Sequence, residues 1–185
     1  MGNARNATVG GTVEVRPYVT ADLPAMREIW NEVVAAGQAF PQEEPLSAGE
    51  AAAFFAGQSR SCVAQDAAGR VLGLFVLHPN NVGRCGHIAN ASYAVSGAAR
   101  GRGVGAALVR RSLREAGLLG FRILQFNAVA VDNAAARHLY EKLGFTPLGV
   151  IPGGFRRPDG GYVDICLYWH AVEPVKEDGP PDMLQ

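Results

Sequence analysis

The stretch Val95-Ser96-Gly97-Ala98-Ala99-Arg100-Gly101-Arg102-Gly103-Val104-Gly105-Ala106 decides how this chain is read. An apolar strand-like run ends at Val95, glycine and arginine alternate through residues 100–103, and a helical pattern follows from about Gly103 to Leu118, with Val104, Leu108, Val109 and Leu113 on one side. A strand, a glycine turn and a helix in that order suit an anion. Glycines let backbone N–H groups point inward with no Cβ in the way. The helix N-terminus adds partial positive charge, worth about 0.3–1 kcal/mol per anionic group at an exposed end. Arg100 and Arg102 supply charge-assisted donors. The segment predicts a pyrophosphate cradle.

Two familiar phosphate loops compete for it. Gly101-x-Gly103-x-x-Ala106 fits the loose dinucleotide fingerprint, but that reading wants an acidic residue about 20 positions on, at the end of the next strand. Phe121-Arg-Ile-Leu-Gln-Phe-Asn127 carries none. The P-loop pattern fails because no Gly-Lys-Ser/Thr follows. A glycine turn that merely starts a helix is the remaining alternative.

Outward from the cradle, His87 to Val95 reads as a strand, and Ser61 to Gln65 and Val71 to His78 as a hairpin across Asp66-Ala-Ala-Gly-Arg70. Upstream, Val13 to Val19 alternates like a strand. Asp22 to Ala36 carries a helical stripe of Leu23, Met26, Ile29, Trp30 and Val33. Ser47-Ala-Gly-Glu50 is a capping box ahead of Ala51 to Gly57. Downstream, Arg122 to Val131 is a strand and Asn133 to Leu143 a helix. Pro147 to Ile151 and Tyr162 to Ala171 close the domain as strands joined by a Gly-rich loop. The order β α α β β β α β α β β mixes antiparallel-type strands with strand-to-helix crossovers. It predicts an α+β, three-layer α/β domain around a mixed sheet.

Residues 1–12 read as a disordered or expression-derived leader, 13–172 as one domain of about 160 residues, and 173–185 as a solvated tail rich in Pro, Asp, Glu and Gly. The 17 basic and 17 acidic side chains cancel, so nothing global draws the chain to nucleic acid or an anionic membrane. No apolar run approaches the roughly 20 residues of a bilayer span, and the N-terminus lacks a signal-type apolar stretch. Cys62, Cys85 and Cys166 are scattered, with no CxxC spacing, so a cytoplasmic protein with reduced thiols and no metal is expected.

Two further motifs narrow the reading. Arg100-x-x-Gly103-x-Gly105 resembles the acetyl-CoA signature of the GNAT N-acetyltransferases, and Asn133-Ala-Ala-Ala136-Arg-His-Leu139-Tyr140-Glu-Lys-Leu-Gly144-Phe145 resembles the family's second signature. The element order is similar to that fold over the whole domain, which implies a mostly antiparallel sheet of about six or seven strands flanked by about four helices. Within the family, Gly86-His-Ile-Ala-Asn90-Ala and Phe126-Asn127-x-Val129-x-Val131-x-Asn133 look similar to the fungal enzymes that acetylate proline analogues such as azetidine-2-carboxylate.

The resemblance implies an acetyl-CoA cosubstrate, a gap between the strands on either side of the cradle helix, and specific roles. The main chain at Ala94 and Val95 would hold the pantetheine arm. Arg100, Gly101, Arg102, Gly103, Val104, Gly105 and Ala106 would hold the pyrophosphate. Asn133, an expected N-cap in any case, would also touch the arm or acetyl group. Tyr140 lies two turns further on the same face, where a phenol can protonate a departing thiolate; an aromatic core residue is the alternative. Asn90 and Asn127 sit on the strands flanking the gap, where unpaired amides are costly. They are expected to bind the acceptor and position the reacting groups, against the alternative of satisfying nearby backbone. Phe40 and Glu43 would wall the acceptor pocket, and Arg156 and Arg157 are candidates for an acceptor carboxylate or for a solvated hairpin tip. Asn90-Ala-Ser92-Tyr93 has no carboxylate to act as base, so either a water relay takes the proton or the amine arrives partly neutral. His87 reads as a structural strand-start residue, with titration the alternative.

The expected acceptor is a small-molecule amine, an amino acid or proline analogue among the candidates. A protein or peptide acceptor and a non-catalytic acetyl-CoA-binding module are the alternatives. A homodimer is expected by resemblance.

Overall fold

The computed structural model describes residues 12–175, so most of the leader and of the tail lies outside the described residues. Within them the elements are β1 (Glu14–Pro17), α1 (Leu23–Ala36), α2 (Ala48–Ala56), β2 (Arg60–Gln65), β3 (Val71–Pro79), β4 (Ile88–Val95), α3 (Val104–Leu118), β5 (Ile123–Ala130), α4 (Ala134–Lys142), β6 (Thr146–Arg156) and β7 (Tyr162–Ala171). Among the described residues the strands form one seven-stranded sheet in the order β1-β2-β3-β4-β5-β7-β6. Every pairing is antiparallel except β4 with β5.

Local chemistry places the helices as expected. Ser47 and Glu50 form the reciprocal capping box of α2, the Glu50 amide donating to Ser47 Oγ and the Ser47 amide to Glu50 Oε2. Asn133 caps α4 by accepting from the Ala136 amide at 3.2 Å. The helices pack their apolar stripes on the sheet, α1, α2 and α3 with buried residues and α4 with half-buried ones. Met26, Ile29, Trp30 and Val34 of α1 and Ala51 and Phe55 of α2 cover one face, against Val63, Leu74, Val76 and Ala94. Val104, Leu108, Val109 and Ala116 of α3, with Leu139, Tyr140 and Leu143 nearby, cover the other, against Phe75, Leu77, Leu124, Phe126 and Tyr168. The three layers follow from this division.

Two expectations change. The strand expected over Pro147 to Ile151 is β6, which runs on to Arg156 through part of the predicted Gly-rich loop. Register shifts between Pro147 and Gly149 and between Ile151 and Phe155 absorb the surplus residues. At the second shift the Gly153 amide donates to the Asp164 carboxylate at 2.9 Å, which stands in for a ladder bond. The start of the tail is also placed: the Glu173 carbonyl lies over Gly117, where a Cβ would stand 2.4 Å from it.

The feature that shapes the site is the weakness of the β4–β5 pairing. The two strands match only at Ile88 with Ile123 and Ala89 with Leu124. Beyond that point they part, and α3 and the cradle occupy the crossover between them.

Candidate active site

The cradle is built as its sequence requires. A single 3₁₀ turn, Gly97 to Ala99, follows β4, and its first amide is held by Glu32 Oε1 of α1 at 2.9 Å. Gly101 and Gly103 then take φ of +74° and +80°, left-handed values that disfavour any residue with a Cβ. No atom lies within 4 Å of where a Cβ would stand at either position, so the backbone there faces open space. Gly103 is also the N-cap of α3. Arg100, Gly101, Gly103, Val104, Gly105 and Ala106 line the cleft; Arg102 is exposed and lies outside its wall. Gly105 serves packing as well, since a Cβ there would come within 3.2 Å of Leu139 on α4.

Below the cradle the cleft passes through the sheet, with a volume of about 980 Å³, in the range of a small-molecule site. Its walls carry unpaired backbone. The Ser96 amide donates to the Leu72 carbonyl and the Asn80 amide to the Ile88 carbonyl. Hydrogen-bonded pairs alternate along an antiparallel ladder, and the β3–β4 register has no shift. The main chain of Asn90, Ser92 and Ala94 therefore turns to β3, and that of Ala91, Tyr93 and Val95 turns toward the gap. This corrects one expectation: Val95 presents its main chain to the opening, whereas Ala94 is fully buried with its main chain turned to Leu74. On the opposite wall the β5–β7 ladder shifts between Phe126 and Val129, a bulge that carries Asn127 and Ala128 at the cleft.

Helix α4 brings Asn133, Ala136, Leu139 and Tyr140 to the same cleft. The Tyr140 ring packs on Phe126 at 4.5 Å between centroids and lies 6.3 Å from Tyr93. Burial, with Tyr168 nearby, raises its phenol well above the ordinary tyrosine range, so it stays protonated. Tyr93 is raised too, first by burial, against the opposing effect of its 2.6 Å hydrogen bond with Ser112. Beneath α4, the Tyr168 hydroxyl accepts from Arg137 at 3.2 Å and donates to Glu141 at 2.8 Å, tying the helix to β7.

The far end of the cleft holds Phe40, Gln42, His78, Asn90, Ser92 and Asn127. Phe40 is buried against Trp30, with centroids 4.3 Å apart. Asn90 is half-buried on the wall. Asn127 is exposed at the rim. Its amide donates to Asn80, and its carbonyl accepts from Asn80 and from Gln125 at 2.9 Å. Glu43 lies outside the wall, exposed and paired with Arg156. Arg157 is buried, with its guanidinium on Asp132 at 2.5 Å and on the Gly37 carbonyl at 3.2 Å. It docks the β6–β7 hairpin onto the ends of α1 and β5 and does not line the cleft. His87 is exposed outside the cleft, with its carbonyl accepting from the Arg122 amide, a structural place.

Sequence reasoning missed His78, Gln42, Ser92 and the Glu32 and Asp132 anchors. Only the polarity of His78 at the end of an apolar strand signalled any of them.

Residues 23–145 match the model of the acetyltransferase (GNAT) family. The chain is 38% identical over 109 residues to N-acetyltransferase aca1 of Schizosaccharomyces pombe; the match covers 58% of this chain and spans about half, 52%, of that protein. It is 30% identical to the L-methionine sulfoximine/L-methionine sulfone acetyltransferase of Pseudomonas paraeruginosa, over 89% of this chain and 98% of that one. The crystal structure of a phosphinothricin acetyltransferase from Sinorhizobium meliloti in complex with AcCoA superposes with a TM-score of 0.81 at 26% identity, covering 94% of this chain and 98% of that chain.

Proposed function

This chain belongs to the GNAT acetyltransferase family, and from that membership we propose that it moves the acetyl group of acetyl-CoA to the amine of a small metabolite of the amino-acid or amino-acid-analogue class. The observation that carries the reading is the parting of β4 from β5 directly below a glycine cradle, which leaves unpaired main chain along a cleft open to both sheet faces. A pyrophosphate suits the open amides around Gly101 and Gly103, with Arg100 beside them. An amide-bearing pantetheine arm suits a strand edge with free N–H and C=O groups, here at Tyr93 and Val95. Two of the relatives named above carry methionine sulfoximine/methionine sulfone and phosphinothricin in their names, compounds that are amino-acid analogues, and the acceptor end here is lined by the neutral polar groups of Gln42, Asn90, Ser92 and Asn127.

In this reading the amine nitrogen attacks the thioester carbonyl directly. The Val95 amide would stabilise the oxyanion of the tetrahedral intermediate, a contribution that grows in a site shielded from water. Tyr140 would give its proton to the departing thiolate, and Asn133 would steady the acyl arm. Asn90 would orient the acceptor, with Asn127 and its Asn80 partner closing the rim. Use of acetyl-CoA points to the cytoplasm as the place of action. A homodimer belongs to the reading as well, because β6 forms a sheet edge with Leu148 57%, Val150 55% and Ile151 47% exposed.

The test is acceptor-dependent thiol release from acetyl-CoA with L-methionine sulfone, phosphinothricin, azetidine-2-carboxylate and a peptide panel. Release with one or more of the small amines and not with peptides is expected. Release with peptides alone would replace the small-molecule acceptor by a protein one. Acetyl-CoA binding with no release from any amine would point to a binding module.

A further inference from the structure

The site described above has a proton donor for the leaving thiolate and no carboxylate on β4 to relieve the incoming amine of its proton. We propose that His78, at the end of β3, is the general base, taking a proton from the acceptor ammonium at Nε2; the inference rests on the acetyl-transfer reading.

Three observations lead to it. First, His78 is on the acceptor side of the cleft. It is the cross-strand partner of Asn90 on β4, and directly opposed side chains share one sheet face. Phe40 and Gln42 complete that wall.

Second, its tautomer is set. Nδ1 lies 2.9 Å from the Pro79 carbonyl, which can only accept, so Nδ1 carries the hydrogen. The neutral ring is left with its lone pair on Nε2.

Third, His78 stands where two cavities meet. A smaller cavity of about 400 Å³ lies between α1 and the end of α2, and His78, Gln42 and Ser92 are common to both walls. A proton taken on the cleft side can leave on the other.

The remaining ionisable groups of the two walls are otherwise engaged. Tyr93 bonds to Ser112, Asp132 is paired with Arg157, Arg100 stands at the cradle, and Tyr140 is held protonated. The side chains that share the smaller cavity with His78 are Val76 of β3, Ser92 of β4, Trp30 of α1, Phe54 of α2, Gln58 just after α2 and Gln42 of the loop after α1, all uncharged.

The protons and bonds balance. Nε2 takes one proton from the ammonium, and the neutral amine forms the C–N bond. As the C–S bond breaks, the Tyr140 phenol protonates the thiolate. The attacking nitrogen, now carrying an extra proton, returns one to the Tyr140 phenolate to give the neutral amide. The imidazolium releases its proton to water, so the net reaction frees one proton, as acetylation of an ammonium must.

The test compares the pH dependence of kcat/KM for wild type and His78→Gln, with L-methionine sulfone as acceptor and thiol release as readout. Acetyl-CoA affinity and thermal unfolding serve as controls for the fold. The variant is expected to lose about 10²–10⁴-fold in kcat/KM near neutral pH. It should regain rate as pH rises and the free amine forms in solution. A variant within twofold of wild type with the same acid limb would overturn the assignment. So would a loss of equal size at every pH, which marks a binding role. Should wild type turn over no amine, the acetyl-transfer reading itself has failed. The base is then judged by ¹⁵N spectra of the histidine rings, with the His78 signals assigned by their absence in the variant. Nδ1 protonated and Nε2 bare in the neutral ring is the expected state. An Nε2–H tautomer would remove His78 as a base.

Discussion

Replacing Tyr140 by Phe separates chemistry from folding unusually well in this protein. The Tyr140 ring is packed among Phe126, Tyr93, Phe145 and Tyr168, at centroid distances of 4.5, 6.3, 5.7 and 6.0 Å, and all of that packing survives in Phe. The factors that raise its pKa are burial and the nearby Tyr168, with no hydrogen bond among them. Removing a hydroxyl that has no hydrogen-bond partner among the described residues leaves no donor or acceptor of theirs stranded, so stability should stay within about 1 kcal/mol of wild type. The kinetic cost is of another size. General acid catalysis contributes about 10²–10⁴-fold, and each tenfold is about 1.4 kcal/mol, so the variant should lose about 3–6 kcal/mol of transition-state stabilisation. Single-turnover thiol release at saturating acetyl-CoA is the assay, beside thermal unfolding of both proteins. A kcat fall of at least a hundredfold with unchanged unfolding is expected. A kcat within threefold of wild type would refute the assignment of Tyr140 as the acid and leave it an aromatic core residue.

Other perturbations follow from the same geometry. Gly103→Ala forces a Cβ onto a left-handed residue at a cost of about 1–2 kcal/mol, with nothing nearby to clash; calorimetry should show acetyl-CoA affinity falling about tenfold while the acceptor KM changes little. Arg157→Ala breaks the pair with Asp132 and the bond to the Gly37 carbonyl; because the Asp132 side chain is 55% exposed and can be rehydrated, unfolding free energy should drop only about 1–2 kcal/mol. Burial pushes the Cys62 thiol and the Tyr168 phenol up to about 12. Both hold their protons more tightly folded than unfolded, so their contribution is complete below the unfolded values, near 8.5 and 10, and is lost as pH rises from there toward 12. The Tm should therefore hold steady to about pH 8 and decline above it. Among the three thiols, exposed Cys85 should react with an aromatic disulfide reagent quickly, and buried Cys62 and Cys166 only on unfolding.

What was legible in the sequence was local. A glycine turn before a helix, the Ser47–Glu50 box and the Asn133 cap depend on neighbours within a few residues, and each forms as read. So do the apolar stripes, which assign the helices to the two sheet faces. The path of β6 was not legible, because its glycines suggested a loop, while the ladder with β7 and the Asp164 side chain carry the strand across them. The same holds for groups joined only by the fold. Arg157 meets Asp132 across 25 positions, and Glu32 meets Gly97 across 65. His78 enters the site through its register with Asn90, and the turning of Ala94 away from the gap depends on which ladder pairs are hydrogen-bonded. None of these is encoded in spacing along the chain.

In the proposed function the gap between β4 and β5 receives the acyl arm of acetyl-CoA below the Gly101–Gly103 turn. A crystal structure of the full chain with acetyl-CoA tests it most directly. The pyrophosphate is expected on the amides of residues 101–106, the arm against the main chain of Tyr93 and Val95, and the thioester between Asn90, Asn127 and Tyr140. A cofactor seated elsewhere, or a closed gap in crystals grown at saturating acetyl-CoA, would contradict it.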